Sequence, residues 1–474
     1  MSAPEAKAAV AVVGGGWAGC AAAVELARRG ARVTLFEAAR TLGGRARGVE
    51  IDGRLLDNGQ HILLGAYKDT LKLLKRVGVD PATAFLRLPL QMRYPAASAG
   101  MDFVAPRLPA PWHMMVALMR AKGLAREDKL ALARFTTAAR WMGWRLDLDV
   151  SVGVLLERFG QTARLQRLMW HPLCLAALNT APERASANVF LAVLRDSLGA
   201  KRAASDMLLP RLELGALFPQ AAARYLASKG AAVHTGAKVN VVERSGEGWS
   251  VTASGQALRA DWRGDFDAVV LATPAAHAGA LLASFPETAD LAAQLKAFEY
   301  EPIATCYLQY GPGLCLPLPF CALLDAPGVQ HFGQFVFDRG QLDPGQAGLL
   351  AVVVSAAGEA AALDQDSLAR ALAAQLDGAF PGLGLAAPQW SRVITEKRAT
   401  FACTPGLARP ANATALPGLV LAGDYTAGDY PATLESAVQS GQAAAAAILR
   451  GHRPGRKNGS LSHTAGTARA GSVQ

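Results

Sequence analysis

The sequence predicts an α/β protein: a Rossmann-type dinucleotide-binding domain built on a parallel sheet, with an α+β domain inserted into it. Three observations carry that reading. Near the start, the apolar run Ala8–Val13 enters Gly14-Gly15-Gly16-Trp17-Ala18-Gly19, which fits G-x-G-x-x-G. Near the end, Leu419–Tyr425 is a second apolar run, closing on Gly423-Asp424 and followed by helix-forming sequence from Thr433 to Leu449. Between them lies far more chain than one core needs, because 474 residues normally divide into two or three domains.

The first unit organises the rest. Ala8–Val13 lacks the polar alternation of a half-exposed strand and reads as a parallel strand buried on both faces. Ala21–Arg29 has helical composition, Gly30 is placed to end that helix, and Arg32–Glu37 reads as the next strand. Gly14 permits the tight turn, Gly16 admits a pyrophosphate to the backbone, and Gly19 lets helix and strand pack closely. The phosphates meet free N–H groups at the positive end of the helix dipole. Glu37, roughly twenty residues past the glycines, is placed to hydrogen-bond a ribose and to repel a 2′-phosphate, which disfavours NADP. Glycine-rich turns that bind nothing are common, but strand, glycines, helix, strand and acid in one unit are not.

Composition removes several function classes. Hydrophobic residues make up 51% and charged ones 18%, so the chain is globular with ample apolar surface to bury or present. The net charge of +10 comes from scattered residues, with no basic run interleaved with aromatics, so no nucleic-acid partner is expected. The six cysteines form no C-x-x-C pair and no metal spacing, which predicts no metal site and a reduced, cytoplasmic setting. Pro302–Leu324 is uncharged and long enough to span a bilayer, but its four prolines make it a poor helix, and no transmembrane segment is predicted.

Beyond Glu37 come Thr41-Leu42-Gly43-Gly44-Arg45-Ala46-Arg47 and Leu56-Asp57-Asn58-Gly59-Gln60-His61. The glycine doublet brings backbone close to a cofactor, and Arg45 offers a planar cation to its pyrophosphate. A solvated surface arginine is the plainer alternative, and its position behind the dinucleotide unit favours the ligand role. Taken together, G-x-G-x-x-G, Glu37, L-x-G-G-R-x-R and D-x-G-x-H resemble the flavin-containing amine oxidase and phytoene desaturase superfamily. The resemblance spans about Ala8 to Arg450 and implies that the dinucleotide is FAD. It implies cofactor contacts at Gly14, Gly16, Gly19, Glu37, Gly44, Arg45 and Gly59. It also implies the backbone of Val239 at the adenine, Asp424 at the ribityl or phosphate region, and the helix start at Thr433 and Leu434 at the flavin N1/O2 edge.

The resemblance further implies a discontinuous FAD-binding domain, 8–65, 207–280 and 392–450, around a substrate domain, 66–206 and 281–391. Within the latter, helices are expected at Tyr67–Val77, Lys129–Trp144, Val152–Phe159 and Ser367–Phe380, and strands at Ile303–Tyr310 and Gly348–Ser355. A small ribbon is expected from Trp249–Ala253 and Gln256–Ala260. Trp112–Leu124 sets Trp, Met, Val and Leu at helical spacing beside Lys122 and Arg126; it reads either as a helix lying on a membrane or as an amphipathic cover. Residues 453–474 have the composition of a disordered tail.

Trp170–Thr180 (WHPLCLAALNT) followed by Ala185-Ser186-Ala187 resembles the squalene-associated desaturase-like branch, whose reaction is reductive removal of the allylic hydroxyl of hydroxysqualene to give squalene for hopanoid and triterpenoid synthesis. Synthases of the squalene pathway are then conceivable partners. That reaction needs a proton donor. His61 is the first candidate, because its motif lies beside the cofactor, and His171 the second, though a histidine before proline more often only caps a turn. The alternatives are a carotenoid desaturase, an amine oxidase, or a lipid-escort protein that has lost its flavin. Intact cofactor motifs count against the escort. Amine oxidation calls for a lysine where Thr305 stands and an aromatic residue where Thr433 stands.

Overall fold

Five short apolar strands from three distant stretches of chain pair in parallel. They are β1 (Ala9–Val13), β2 (Arg32–Glu37), β3 (Ala232–Thr235), β4 (Ala268–Leu271) and β5 (Leu419–Leu421), in the order β3-β2-β1-β4-β5. This computed structural model describes residues 7–199, 201–255, 258 and 262–451. The expected tail and most of Gln256–Ala260 lie outside them.

β1 and β4 are buried on both faces because the sheet is covered on both sides. On one side lie α1 (Trp17–Arg28) and α2 (Leu434–Gly451), sharing a core with Val10, Val12 and Val270. The two helices approach so closely that a Cβ on Gly441 would stand 2.2 Å from the Ala18 carbonyl oxygen. On the other side, Ala9, Ala11 and Val13 join a core with Trp249, Val251 and Phe266. Those residues come from an antiparallel ribbon, Lys238–Ser245, Gly248–Ser254 and Trp262–Phe266. Its third strand is Trp262–Phe266, beyond the expected Gln256–Ala260, since Trp262 and Phe266 bring the aromatic surface that packs on Phe36.

The strand order reverses between β1 and β4, the point where open parallel sheets leave a crevice at their carboxyl ends. Gly14 follows β1, Ala272-Thr273 follows β4, and Gly423-Asp424 follows β5. Three segments remote in sequence thus meet along one sheet edge.

A second sheet is antiparallel, in the spatial order Phe320–Ala322, Phe335–Asp338, Leu349–Val354, Tyr300–Gln309, Trp390–Phe401. Alternate residues serve different cores. Ala304, Cys306 and Leu308 pack towards the helix Gln365–Ala379, while Tyr307, Phe320, Phe335 and Phe337 join the central core. The sequence reading begins the last cofactor segment at Arg392, whereas the strand Trp390–Phe401 is an edge of this second sheet. The remaining chain is largely helical (Arg126–Trp141, Val152–Arg158, His171–Leu178, Ala187–Ser197), gathered on the edge-on aromatics Phe135, Trp170 and Phe190.

The helix beginning at Trp112 stops at Arg120, short of the expected Leu124. Lys122 leaves it to exchange two backbone hydrogen bonds with Asp102, each 3.1 Å. Among the described residues, no helix is long and apolar enough to cross a membrane.

Candidate active site

The glycine turn has the geometry that its spacing predicts. Gly14 sits at φ +107°, and a Cβ there would lie 2.5 Å from the Ala272 carbonyl oxygen. A Cβ on Gly19 would fall 1.9 Å from the Gly14 oxygen. These two glycines bring turn, helix and sheet together. Gly16 differs: a Cβ there would meet only the Cα of Gly44, at 3.9 Å, so the space above it stays open. No side chain caps the start of α1 and no acid lies in its first turn, which leaves its N–H groups for an anion. Glu37 closes one end of this cradle, accepting from the Gly15 and Ala39 N–H groups at 2.7 Å each. The Glu37 carbonyl in turn accepts from the Ala237 N–H at 2.9 Å. Val239, two residues on, is therefore the second residue of an edge strand of the antiparallel ribbon, Lys238–Ser245.

Gly43 donates to the Gly15 carbonyl at 2.8 Å, and Trp17 Nε1 donates to the Ala46 carbonyl at 3.1 Å. These bonds seat the L-x-G-G-R loop on the glycine turn. Arg45 extends to the far side, donating through Nη2 to Asp424 Oδ2 at 2.7 Å and through Nη1 to the Ala399 carbonyl at 2.6 Å. Two residues remote in sequence and both assigned to the cofactor are thus one ion pair. At the start of α2, Thr433 Oγ1 accepts from the Ser436 N–H at 3.1 Å, and the Glu435 carboxylate is turned away to the Asp69 and Thr70 N–H groups.

Asp57-Asn58-Gly59-Gln60-His61 lies against the Tyr300–Gln309 strand. Gly59 stands at φ +102°, with His61 Cε1 and Thr305 Oγ1 nearest to where its Cβ would be, at 3.8 and 3.9 Å. The Thr305 hydroxyl is buried and has no partner among the described residues. Gln60 Nε2 donates to Tyr307 Oη at 2.7 Å, and that hydroxyl donates to the Asp57 carbonyl at 2.8 Å. Arg339, 2% exposed, donates to Gln60 Oε1 at 3.1 Å and holds its other nitrogen 4.0 Å from Asp57 Oδ2. Burial pushes the Asp57 carboxyl up to about 6, against the pull of Arg339 and of the Leu214 N–H.

The two candidate histidines occupy different settings. His61 Nδ1 lies 3.1 Å from the Gly59 carbonyl; in the neutral ring Nδ1 is the donor, so Nε2 is left to accept. Burial pulls its imidazole below the ordinary value, the Gly59 carbonyl opposes that, and the Arg45 charge adds to it. His171 opens a helix that continues a π turn, Gln166–Trp170, so it caps no simple turn. Burial raises the carboxyl of Asp325, while Gln334 and the charges of His171 and Arg167 draw it back. Among the described residues, no group of three His, Cys, Asp or Glu side chains stands at metal-holding distance.

Residues 17–449 match the model of the flavin containing amine oxidoreductases. The chain belongs to that family. Its cofactor is FAD, and the open space at Gly16, the uncapped start of α1 and the acid at Glu37 suit a flavin dinucleotide. The chain is 28% identical to hydroxysqualene dehydroxylase of Zymomonas mobilis, covering 92% of this chain and 97% of that one. It is 29% identical to the hydroxysqualene dehydroxylase of Rhodopseudomonas palustris over 93% and 98%. A zeta-carotene desaturase of Synechocystis is 24% identical over 93% and 97%. Among solved structures, an oxidoreductase from Methanosarcina mazei superposes with a TM-score of 0.69 at 16% identity, covering 93% of this chain and all of that one. Cyclohexylamine oxidase from Brevibacterium oxydans gives 0.61 at 19% identity over 94% and 99%. These two share the fold.

Some of this site had no signal in the sequence. Arg339, Gln60 and Tyr307 converge only through the second sheet. Arg409 also came unannounced: it donates to the carbonyls of Asp424, Gly428 and Tyr430 and so shapes the loop between β5 and α2. Both arginines lie in stretches of unremarkable composition, and only long-range pairing marks them.

Proposed function

We propose that the chain is an FAD-dependent hydroxysqualene dehydroxylase, removing the allylic hydroxyl of hydroxysqualene to give squalene and water. The similarity to hydroxysqualene dehydroxylases over nine-tenths of both chains carries the reading. Thr305 and Thr433 support it against amine oxidation, which calls for a lysine and an aromatic residue at those places. When bound and reduced, the flavin supplies the hydride that replaces the hydroxyl. Gly14, Gly16, Gly19, Gly44 and Gly59 give the cofactor backbone approach; Glu37 takes its ribose, Val239 its adenine, Arg45 with Asp424 its central region, and the α2 start at Thr433 and Leu434 its pyrimidine edge. The FAD-binding part comprises 8–65, 207–280 and the stretch of 392–450 beyond Phe401; 66–206, 281–391 and the rest of the strand Trp390–Phe401 form the substrate side.

Carbon–oxygen cleavage releases water only if a proton reaches the departing oxygen. His61 is the donor we propose, and His171 with Asp325 the second choice. An imidazole held below its ordinary value gains its acid form as pH falls, so kcat/KM rises towards acid pH and levels off below the ordinary histidine range. His61→Ala should lower kcat roughly 100-fold and remove that limb. An unchanged pH profile in His61→Ala would move the role to His171.

The decisive assay is anaerobic. Protein whose cofactor carries deuterium at the hydride position is mixed with hydroxysqualene, and squalene should emerge labelled at the former carbinol carbon or its allylic partner. Unlabelled squalene, or a dehydrogenated polyene as sole product, would favour the desaturase alternative instead.

We also place the protein on the inner face of the cytoplasmic membrane as a peripheral guest. Trp112, Met115 and Met119 are 56%, 44% and 60% exposed along one side of their helix, and an apolar substrate dissolves in lipid. Replacing the three by serine should abolish co-flotation with vesicles. Equal flotation before and after would dispose of this contact.

A further inference from the structure

Close to that helix the chain forms a recess of about 240 Å³, lined by Arg87, Leu88, Pro89, Arg107, Arg202 and Asp206. Three guanidinium groups thus face one carboxylate. Asp206 is buried and already engaged, its oxygens 3.0 Å from Arg202 and 3.4 Å from Arg87. Each guanidinium carries five donors, far more than one carboxylate can accept. The recess therefore keeps about two net positive charges, arranged as planar forks that suit the oxygens of a phosphate. Arg107 precedes Trp112 by five residues. On the buried side of the helix, His113 is wholly buried, and the charges of Arg202, Arg140 and Asp206 act on it. The opposite side carries Trp112, Met115 and Met119, with Leu108 also exposed before them. Arg107 thus ties the recess to the chain entering this short helix, whose exposed side carries the apolar stripe.

We propose that the Arg87–Arg107–Arg202 recess binds the phosphate of an anionic phospholipid headgroup while the Trp112 stripe enters the acyl boundary. The inference rests on the membrane contact proposed above and adds a chemical preference to it. A free phosphate ion offers the guanidiniums the same oxygens, but it gives no use to exposed tryptophan and methionine beside them. A bilayer uses both, and Arg120, Lys122 and Arg126, all exposed nearby, match its charge.

Full-length holoprotein is floated with phosphatidylcholine vesicles and with vesicles that also contain phosphatidylglycerol, at physiological ionic strength. Wild type should bind the anionic vesicles roughly tenfold more tightly. Arg87→Gln with Arg107→Gln should abolish that preference and leave binding to phosphatidylcholine unchanged. Arg120→Gln with Lys122→Gln removes the same charge outside the recess and should cost less than half as much; an equal loss would mean diffuse attraction and overturn the site. Equal binding of wild type to both vesicles also overturns it but leaves the membrane contact standing, whereas no binding to either removes both. Calorimetry with inorganic phosphate alone is the third arm. Saturable binding of the free ion without any vesicle preference assigns the recess to a soluble phosphate, and concentration-dependent self-association without vesicle binding assigns the stripe to a second copy; either result refutes the lipid.

Discussion

Gly16→Val should purify as a folded protein almost free of flavin. The position separates binding from folding. Gly16 has extended backbone that any residue adopts, φ −68° and ψ 179°, and a Cβ there meets only the Gly44 Cα at 3.9 Å. A valine therefore costs the fold little, but its methyl groups occupy the floor over which the pyrophosphate must pass. A loss of about 3 kcal/mol or more in binding, over a hundredfold in Kd, is expected. Flavin absorbance of the purified protein, titration with added FAD and a thermal melt read the two effects apart. The contrast is Gly19→Val, where the first added carbon already lies 1.9 Å from the Gly14 oxygen, so folding and binding should fail together. A Gly16→Val protein with full flavin content would remove the pyrophosphate from this turn.

Arg339→Met should yield a folded protein with a large, pH-dependent loss of stability. Arg339 is buried, and its loss strands the Asp57 carboxylate and leaves Gln60 Oε1 and Gln346 Oε1 without its N–H groups. Removing one partner from a buried charge pair costs about 3–5 kcal/mol. The cost depends on pH, and its sign follows from Asp57. With its folded-state value raised to about 6, the stability that Asp57 contributes is fully present below the ordinary carboxylate value and is lost as pH rises through 6. Without the arginine, the carboxyl moves higher still. Urea unfolding should therefore show a deficit for Arg339→Met that is largest near pH 8 and shrinks towards pH 5, and adding Asp57→Asn should recover much of it. A deficit independent of pH would mean that Arg339 acts by packing alone. Because Gln60 adjoins His61, the same variant should also lower kcat at neutral pH.

The amine-oxidoreductase fold and the cofactor cradle were legible because their determinants are local. A buried parallel strand needs an unbroken apolar run, the turn after it needs glycines at fixed intervals, and an acid ends the next strand. Ala8–Glu37 contains all of these within thirty residues. The same holds for Leu419–Asp424, whose glycine and aspartate close a buried strand. Local pattern failed where partners are distant. Trp390–Phe401 looks by position like part of the last cofactor segment, yet it pairs with Tyr300–Gln309, because register across a sheet is set by a strand elsewhere in the chain. The Arg45–Asp424 pair, the Arg339–Asp57–Gln60 network and the arginine recess join residues up to 379 positions apart. A lone arginine in sequence is most often a solvated surface charge, and only burial together with a specific acceptor turns it into part of a site. The sequence by itself determined the nucleotide-binding unit and the family's chemistry. Tertiary structure decided which charges are buried and what they hold, since desolvation is a property of the packed chain and not of any stretch of it.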